Sequence, residues 1–437
     1  MSHRVAGIVV SVALFHPWTV AAQEPALSEV LIRLIQSEIR LAGPAPGSAF
    51  PSHAAHFLPG EDQQLAPFLF NQSIVSQLST FPIGSSAGGF SYSFDPTLGT
   101  FTRSTTSFGP SFAERAVTLG RHRASVGASY QHATFHSFEG KRLDTGEIKF
   151  YLTHLPETGA FFEGDIVQAA LSMRLKTDTF SMFVSYGVTD RLDVGVDVPI
   201  VHVSLDASVE ATILRLATLD TGPTAAIHTF PNGGSTATFS GGGSASGIGD
   251  VLLRAKYHLL RRGGGGLAVA LDLRPPSGDS NDLLGTGATQ AKFLLIGSAT
   301  SGQFSPHVNV GYTASGTSSN ALINVTDEFN YALGTEFTPS PRVTIAADLL
   351  GRQLRDSGRL VEHAKAFNWT TQAGVTGSTT FSEFALESGS LNLTFGSVGA
   401  KYNPMQNLLI SGNVLIPLTD RGIRSRPVPV VGFEYSF

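Results

Sequence analysis

Asp178-Thr179-Phe180-Ser181-Met182-Phe183-Val184-Ser185-Tyr186-Gly187-Val188, the turn Thr189-Asp190-Arg191, then Leu192-Asp193-Val194-Gly195-Val196-Asp197-Val198: this stretch decides the fold. Outward from the turn, every second residue is apolar: Phe180, Met182, Val184, Tyr186 and Val188 on one arm, and Leu192, Val194, Val196 and Val198 on the other. Successive side chains of a strand leave opposite faces, so a period of two predicts a β-hairpin with one apolar face. A soluble sandwich produces the same pattern. The choice therefore rests on recurrence and on the two ends of the chain.

The pattern recurs at Val251 to Leu259 and Leu267 to Leu273, at Val308 to Ala314, and at Phe329 to Phe337 and Val343 to Leu349. Its tight turns are Gly120 to Arg123, Thr189 to Arg191, Arg261 to Gly266, Ser301 to Gln303, Pro339 to Pro341 and Asn403 to Gln406. Short turns alternate with long connections such as Asp206 to Ser246 and Gln353 to Ser390, as periplasmic turns and extracellular loops do in outer-membrane barrels. Aromatics sit near the turns at Tyr186, Tyr257, Phe337 and Tyr402, where an interfacial girdle belongs. Six turns give six strand pairs. A first strand near Ile74 to Ile83 and a closing strand bring the count to about 14, with 12 as the second choice. The Gly/Ser/Thr-rich tract Ile227 to Ile248 is expected to be an exposed loop. At Val198 to Val201 the apolar phase changes, which implies that the strand leaves the membrane or takes a bulge.

The ends agree with a barrel. Arg4, the apolar run Val5 to Phe15 and Val20-Ala21-Ala22 form an export-signal pattern over residues 1–22. No later apolar run reaches the roughly 18 residues a spanning helix needs. At the other end Val431, Phe433, Tyr435 and Phe437 share one face of a last strand, and a terminal Phe resembles the assembly signal read by the barrel-assembly machinery. Between them, Leu27, Val30, Leu31, Leu34, Ile35 and Ile39 stand at helical spacing within Ala26 to Ala42. This amphipathic helix is a candidate plug or rests at the periplasmic mouth; lying on the membrane surface is the alternative. The chain thus divides into 1–22, a helical plug segment 23–62, and an all-β transmembrane antiparallel barrel 63–437.

With 14% charged residues, a net charge of −5 and no basic run, nucleic acid is not an expected partner. The absence of Cys excludes disulfides and thiolate chemistry. No catalytic motif is present: Gly241 to Ser244 and Gly263 to Gly266 lack the lysine of a phosphate loop, and there is no nucleophile elbow. His53 with His56, and His132 with His136, lack partners at ligand spacing, so neither a metal nor a cofactor is expected. The polar faces supply lumen candidates: Asp193, Asp197, Arg254, Lys256, His258, Asp272, Arg274, Glu336 and Asp348.

Three segments carry a family resemblance: Ser246-Gly247-Ile248-Gly249-Asp250-Val251-Leu252-Leu253-Arg254-Ala255-Lys256-Tyr257, Leu271 to Asp279, and Tyr186 to Val196. They resemble the outer-membrane family labelled meta-pathway of phenol degradation, over about residues 165–437. The resemblance implies a barrel akin to the fatty-acid and aromatic-hydrocarbon transporters, with 14 strands and an N-terminal plug. It supplies no ligand residue here. The expected function is a non-enzymatic channel in the cell outer membrane for passive uptake of small hydrophobic or aromatic molecules, with membrane lipid around it. The alternatives are a structural or adhesive barrel with a sealed lumen, and an outer-membrane lipid hydrolase using an outward Ser and a His such as His258 or His307.

Overall fold

The computed structural model describes residues 25–42, 57–59, 61–78, 89–95, 97, 100–154, 164–218, 227–262, 265–357, 359–387 and 389–437. The export-signal segment 1–22 and the pair His53 and His56 lie outside them. Twelve antiparallel strands close into a ring in which each strand pairs with its neighbours in sequence. They are β1 (Ala124–Phe138), β2 (Ile166–Gly187), β3 (Leu192–Leu214), β4 (Leu252–Arg262), β5 (Gly265–Arg274) and β6 (Gln290–Ser298). The ring continues through β7 (Phe304–Ser315), β8 (Glu328–Ser340), β9 (Val343–Leu354), β10 (Leu391–Met405), β11 (Leu408–Pro417) and β12 (Val428–Ser436). Val430–Ser436 of β12 pair with Ser125–Gln131 of β1 and close it.

The ring is the all-β barrel expected, with twelve strands instead of fourteen. Five of the six tight turns join barrel strands. The sixth, Gly120 to Arg123, leads from a segment inside the lumen into β1, where the His122 amide bonds the Gly187 carbonyl. Ile74 belongs to helix α2 (Glu61–Leu78), not to a first strand, and residues 79–83 lie outside the described set.

The outward positions form the apolar band. Phe180, Met182, Val184, Tyr186 and Val188 of β2 are all exposed, as are Phe293 and Leu295 of β6 and Phe433, Tyr435 and Phe437 at the chain end. Aromatics stand at both edges of the band. At the short-turn edge the rings of Phe304 and Phe337 stack 5.1 Å apart, and those of Tyr435 and Phe437 lie 6.3 Å apart. At the other edge the Tyr130 hydroxyl donates to Asp178 Oδ1 at 2.5 Å and the Tyr312 hydroxyl to Asp327 Oδ2 at 2.7 Å. Such rings hold a greasy body in lipid and a polar tip in water. Among the described residues no helix is long and apolar enough to cross a membrane.

β2 and β3 continue past the band, and the sequence phase change at Val198 to Val201 is explained there. Their pairing runs without a register shift from Ile166↔Leu214 to Gly187↔Asp193, so no bulge intervenes. The chemistry changes faces instead. Inside the band the inward residues of β2 are Thr179, Ser181 and Ser185; beyond it they are Val167, Ala169, Leu171, Met173 and Leu175, all buried. Outward, Phe180 to Val188 give way to Gln168, Ser172, Arg174 and Lys176. Lipid outside favours a polar lumen; water outside favours an apolar core.

The core of this extension holds the helices. Helix α1 (Leu27–Arg33) runs into a π-helical turn at Leu34–Glu38. Its expected apolar residues Leu27, Val30, Leu31, Leu34, Ile35 and Ile39 are all buried. The helix lies at the end with the long connections, against a strand at Thr236–Ile248, and not at the short-turn mouth. That strand is the tract read as an exposed loop; it pairs with Ile200–Thr212 of β3. Its small residues explain both its loop-like composition and its role. A Cβ on Gly243 would meet Leu27 Cδ2 at 3.1 Å, so glycine lets α1 approach the wall. The connection between β9 and β10 likewise contains a hairpin, Arg359–Thr370 with Thr376–Glu387.

A buried carboxylate ties this extension together. Asp165 Oδ1 accepts the amides of Leu216, Ala217 and Thr218 at 2.9, 2.9 and 3.1 Å, and Oδ2 accepts from His228 Nδ1 at 2.8 Å. Burial alone would raise the Asp165 carboxyl, but the bonds from His228 and Thr218 outweigh it and hold it below its ordinary value. A depressed carboxyl stabilises the fold above its unfolded pKa, and that contribution disappears as pH falls through the folded value.

Two outcomes follow from this architecture. Val184→Arg, at the centre of the lipid face, should cost about 2–4 kcal/mol of stability in urea titrations in lipid vesicles, whereas Ser172→Arg, on the same outer face beyond the band, should be near neutral. Trp369 lies over Gly164, next to Asp165. In a chain lacking residues 1–22 its emission should shift as pH drops below about 4, and Asp165→Asn should show that shifted emission already at neutral pH, with a loss of ~1–3 kcal/mol.

Candidate functional site: a plugged lumen with a charged wall

Strand register builds the inner wall. Leu252↔Asp197 and Lys256↔Asp193 pair between β4 and β3, Arg254↔Asp272 between β4 and β5, Asp272↔Lys292 between β5 and β6, and Thr313↔Glu328 between β7 and β8. Around this arc basic and acidic residues alternate. Arg254 grips Asp272 with Nε (2.5 Å to Oδ1) and Nη2, and reaches Glu114 with Nη1. Arg352 grips Glu328 with Nε at 3.1 Å and Nη2 at 2.5 Å. These are forked guanidinium–carboxylate pairs, the geometry that best repays desolvating both ions. Nearer the short turns, His307 Nε2 lies 2.7 Å from Asp348 Oδ1, and Nδ1 lies 3.5 Å from Glu336 Oε1. Lys256 Nζ is 3.7 Å from Glu114 Oε2. All nine lumen candidates lie on the inner face, and Asp193, Asp197, Lys256, His258, Asp272, Glu336 and Asp348 are buried. His258 and His307 thus face the lumen, where neither meets the outward requirement of the lipid-hydrolase alternative.

Segment 89–119 occupies this polar space. It includes a small hairpin, Tyr92–Asp95 with Thr100–Arg103. The segment rises to Phe112–Glu114 at mid-height and returns. Wall side chains hold its backbone: Glu434 accepts the Gly89 amide at 2.7 Å, Thr344 the Phe108 amide at 3.0 Å, and Asp348 Oδ2 those of Ser111 and Phe112 at 3.2 and 3.1 Å. Asn309 bonds both the amide and the carbonyl of Glu114, at 2.7 and 2.8 Å, and Asp193 accepts the Leu119 amide at 2.9 Å. Lys401 donates to the carbonyls of Phe108 and Pro110 at 3.2 and 2.7 Å. Arg115, buried within the plug, donates to Thr105, Ser107, Ser91 and the Gly89 carbonyl. Burial, and then the adjacent Arg115, pull the Arg103 guanidinium down to about 10, still charged at neutral pH.

Sequence reasoning missed this plug. Phe108-Gly109-Pro110-Ser111-Phe112-Ala113-Glu114-Arg115 has no strand or helix period, and its wall partners stand 140 to 293 positions later in the chain. The wall residues Lys292, Glu328 and Arg352 were also missed. On β6 the inward neighbours of Lys292 are Leu294 and Ile296, so that strand shows no clean alternation.

A cavity of about 110 Å³ remains between the plug apex and the long-connection end. Phe112, Ala113 and Glu114 form its floor, and α2 lies toward the other side, where Arg352 donates to the Ser76 carbonyl at 3.2 Å. Asp197, Arg254, Asp272, Arg274, Lys292, Glu328 and Arg352 line one part, and Leu294, Ala332, Leu350 and Phe395 line another. Among the described residues no group of three or more His, Cys, Asp or Glu side chains is placed to hold a metal.

The family model described as "Putative MetA-pathway of phenol degradation" matches residues 184–383. The resemblance read from the three segments is met by that family's own model. No curated protein matches the sequence. Among solved structures, an outer membrane channel from Pseudomonas putida F1 is 12% identical, covering 74% of this chain and 98% of that one at a TM-score of 0.44. The monoaromatic hydrocarbon channel CymD is 11% identical, with 74% and 91% covered and a TM-score of 0.35. A FadL homologue from Pseudomonas aeruginosa is 11% identical, with 80% and 94% covered and a TM-score of 0.32.

If Asp348 tethers the plug, Asp348→Ala should leave the Ser111 and Phe112 amides without their acceptor at a cost of ~1–3 kcal/mol. Hydrogen–deuterium exchange of peptides covering 108–119 should then accelerate while peptides from β2 and β3 stay protected.

Proposed function

We propose that this protein is a channel of the outer membrane for passive uptake of small hydrophobic or aromatic molecules. The observation that carries the reading is the nature of the plug: a segment held to a polar wall by many hydrogen bonds and ion pairs, its apolar contact with the ring limited to patches such as Phe90 and Phe108 on Leu409, and Ala116 on Ala268, Ala270, Leu294 and Ile296. Such bonds contribute about 0.5–1.5 kcal/mol each and can be exchanged for water, so the plug can shift without unfolding the barrel. The apolar band supports a place in lipid, and the family match supports the transport class. In this reading residues 1–22 direct export, Phe437 is the mark read by the barrel-assembly machinery, and Asp193, Asp197, Arg254, Lys256, His258, Asp272, Arg274, Glu336 and Asp348 form the wall that a solute passes.

The number of plug bonds also favours a second reading, a sealed barrel whose long connections bind partners. Uptake of radiolabelled toluene by cells producing the full chain, a chain lacking residues 89–119, or no barrel separates the two. The channel reading expects uptake above the barrel-free level from the full chain and a further several-fold rise after the deletion. Uptake that stays at the barrel-free level for the full chain, with a rise only after the deletion, leaves the sealed barrel. Liposome swelling with small sugars should rank the same proteins in the same order.

A further inference from the structure

We propose that the outer face of β2, β3 and the strand Thr236–Ile248, beyond the apolar band, is a docking surface for the sugar head of a glycolipid in the surrounding leaflet. Register defines the surface. Phe180↔Ile200↔Ile248 is the last lipid-facing row across the three strands, and all three side chains are exposed. The next row, Asp178↔His202↔Ser246, is already polar, with the Ser246 hydroxyl 2.7 Å from His202 Nδ1. Beyond it come Lys176↔Ser204↔Ser244, then Arg174↔Asp206↔Gly242, then Ser172↔Ser208↔Ser240. The last two rows form the floor of a groove of about 810 Å³. One flank is the turn before Ile148. Asp144 lines it there, fixed by Arg142 Nε and Nη2 at 3.1 Å each, and a Cβ on Gly146 would stand 3.8 Å from Ser172 Oγ.

Height selects the ligand. Arg174 and Ser172 stand four and six residues beyond Asp178, which is about 13–20 Å along the strand and about 10–15 Å up at the usual tilt. The polar zone of a phospholipid leaflet is only about 5–8 Å deep, so a phosphate head ends below the groove, whereas a head of several sugar units reaches it. Sugar hydroxyls both donate and accept, and so do serines. Among the described residues the hydroxyls of Ser172, Ser208 and Ser240 make no hydrogen bond, and Arg174 and Asp206 make neither a hydrogen bond nor an ion pair. An unengaged guanidinium beside an unengaged carboxylate offers forked donors and forked acceptors to neighbouring hydroxyls of one sugar. Gly242 keeps them open, since a Cβ there would lie 3.2 Å from Asp206 Oδ1. The charges do not select an anion: Arg174 faces Asp206 and Lys176 adjoins Asp178, so they cancel and the face suits a neutral polyol. The hydrocarbon of the same lipid continues down onto Phe180, Ile200 and Ile248, so head and tail meet one unbroken surface.

The inference rests on the proposed place in the outer membrane and not on transport, so the two fail separately. The experiment is native mass spectrometry of the full-length protein in detergent, titrated with rough lipopolysaccharide bearing its core oligosaccharide or with the lipid A prepared from it. One-to-one binding of the core-bearing lipid is expected, with lipid A at least about tenfold weaker, because the hydrogen bonds to the sugars are lost. The released core oligosaccharide, which lacks the hydrocarbon, should also bind at least about tenfold weaker than the whole lipid. Ser208→Trp, which fills the groove floor, and the pair Arg174→Gln with Asp206→Asn should each bring the core-bearing lipid down toward the lipid A level. Heat-modifiable migration on gels checks that each variant has folded. Equal affinity of the wild-type protein for lipid A and the core-bearing lipid overturns the proposal, whether or not any variant folds. So does a full sugar preference in the folded Ser208→Trp protein, or free oligosaccharide that binds as tightly as the whole lipid. A sugar preference in a protein that passes no toluene would overturn the channel reading and leave this one standing; toluene uptake without the preference does the reverse.

Discussion

A strand in hydrocarbon finds no water for its amides, and the rest of this structure depends on that constraint. Each unsatisfied amide or carbonyl would cost several kcal/mol, so the sheet must have no edge. Pairing of Val430–Ser436 with Ser125–Gln131 removes the last one, and the carbonyl and amide of Phe437 exchange bonds with Ala124 at 2.9 Å. Closure in turn fixes the two faces. Outward residues meet lipid and inward residues meet whatever fills the ring. Since the sequence spends its apolar residues outward within the band, the filler there has to be polar or hydrogen-bonded.

The exchange of faces on β2 and β3 extends the same logic. A strand keeps its geometry from end to end, but its surroundings change where it leaves the lipid. The unbroken register of 22 pairs, from Ile166↔Leu214 to Gly187↔Asp193, shows that the backbone does nothing special there. Only the side chains respond. Above the band, Leu171, Leu175, Val203 and Leu205 turn inward onto α1 and α2 and form a soluble-protein core. Within it, Thr179, Ser181, Asp193 and Asp197 turn inward onto the plug and the cavity. One pair of strands thus belongs to two kinds of protein.

This accounts for what the sequence could disclose. Lipid-facing alternation is a local signal, and it located the strands and the inner-face candidates well. Strand number depended on what each tight turn connects, which is not local: the turn Gly120 to Arg123 joins plug to wall, and counting Phe112–Leu119 as a barrel strand added one strand too many. A misread helix, Ile74 onward, added the other. The Thr236–Ile248 strand was hidden because its glycines serve α1, a partner some 200 residues earlier. The buried face of α1 was legible from its spacing, but its place was not, because amphipathicity states that a face is covered and not by what. Lys292, Glu328 and Arg352 escaped for a related reason: near the end of the band the inner wall is half polar and half apolar, and mixed walls lose their period.

The two chemistries of the interior also order the path through it. In the proposed channel, a solute coming from the long-connection end would meet first the apolar core around α1 and α2, then the half-charged cavity, then the hydrogen-bonded plug. An apolar molecule gains from the first region at roughly 25 cal/mol per Å² buried and gains little from the third. A strongly charged one finds both signs in the second, where Arg254, Arg274, Lys292 and Arg352 stand among Glu114, Asp197, Asp272 and Glu328. An amphiphile with a small polar head suits the junction of the two better than either extreme. The alternation of charges around that arc explains why the junction is not simply an anion trap. Arg254 with Asp272 and Glu114, and Arg352 with Glu328, cancel within the wall and hold strands and plug together.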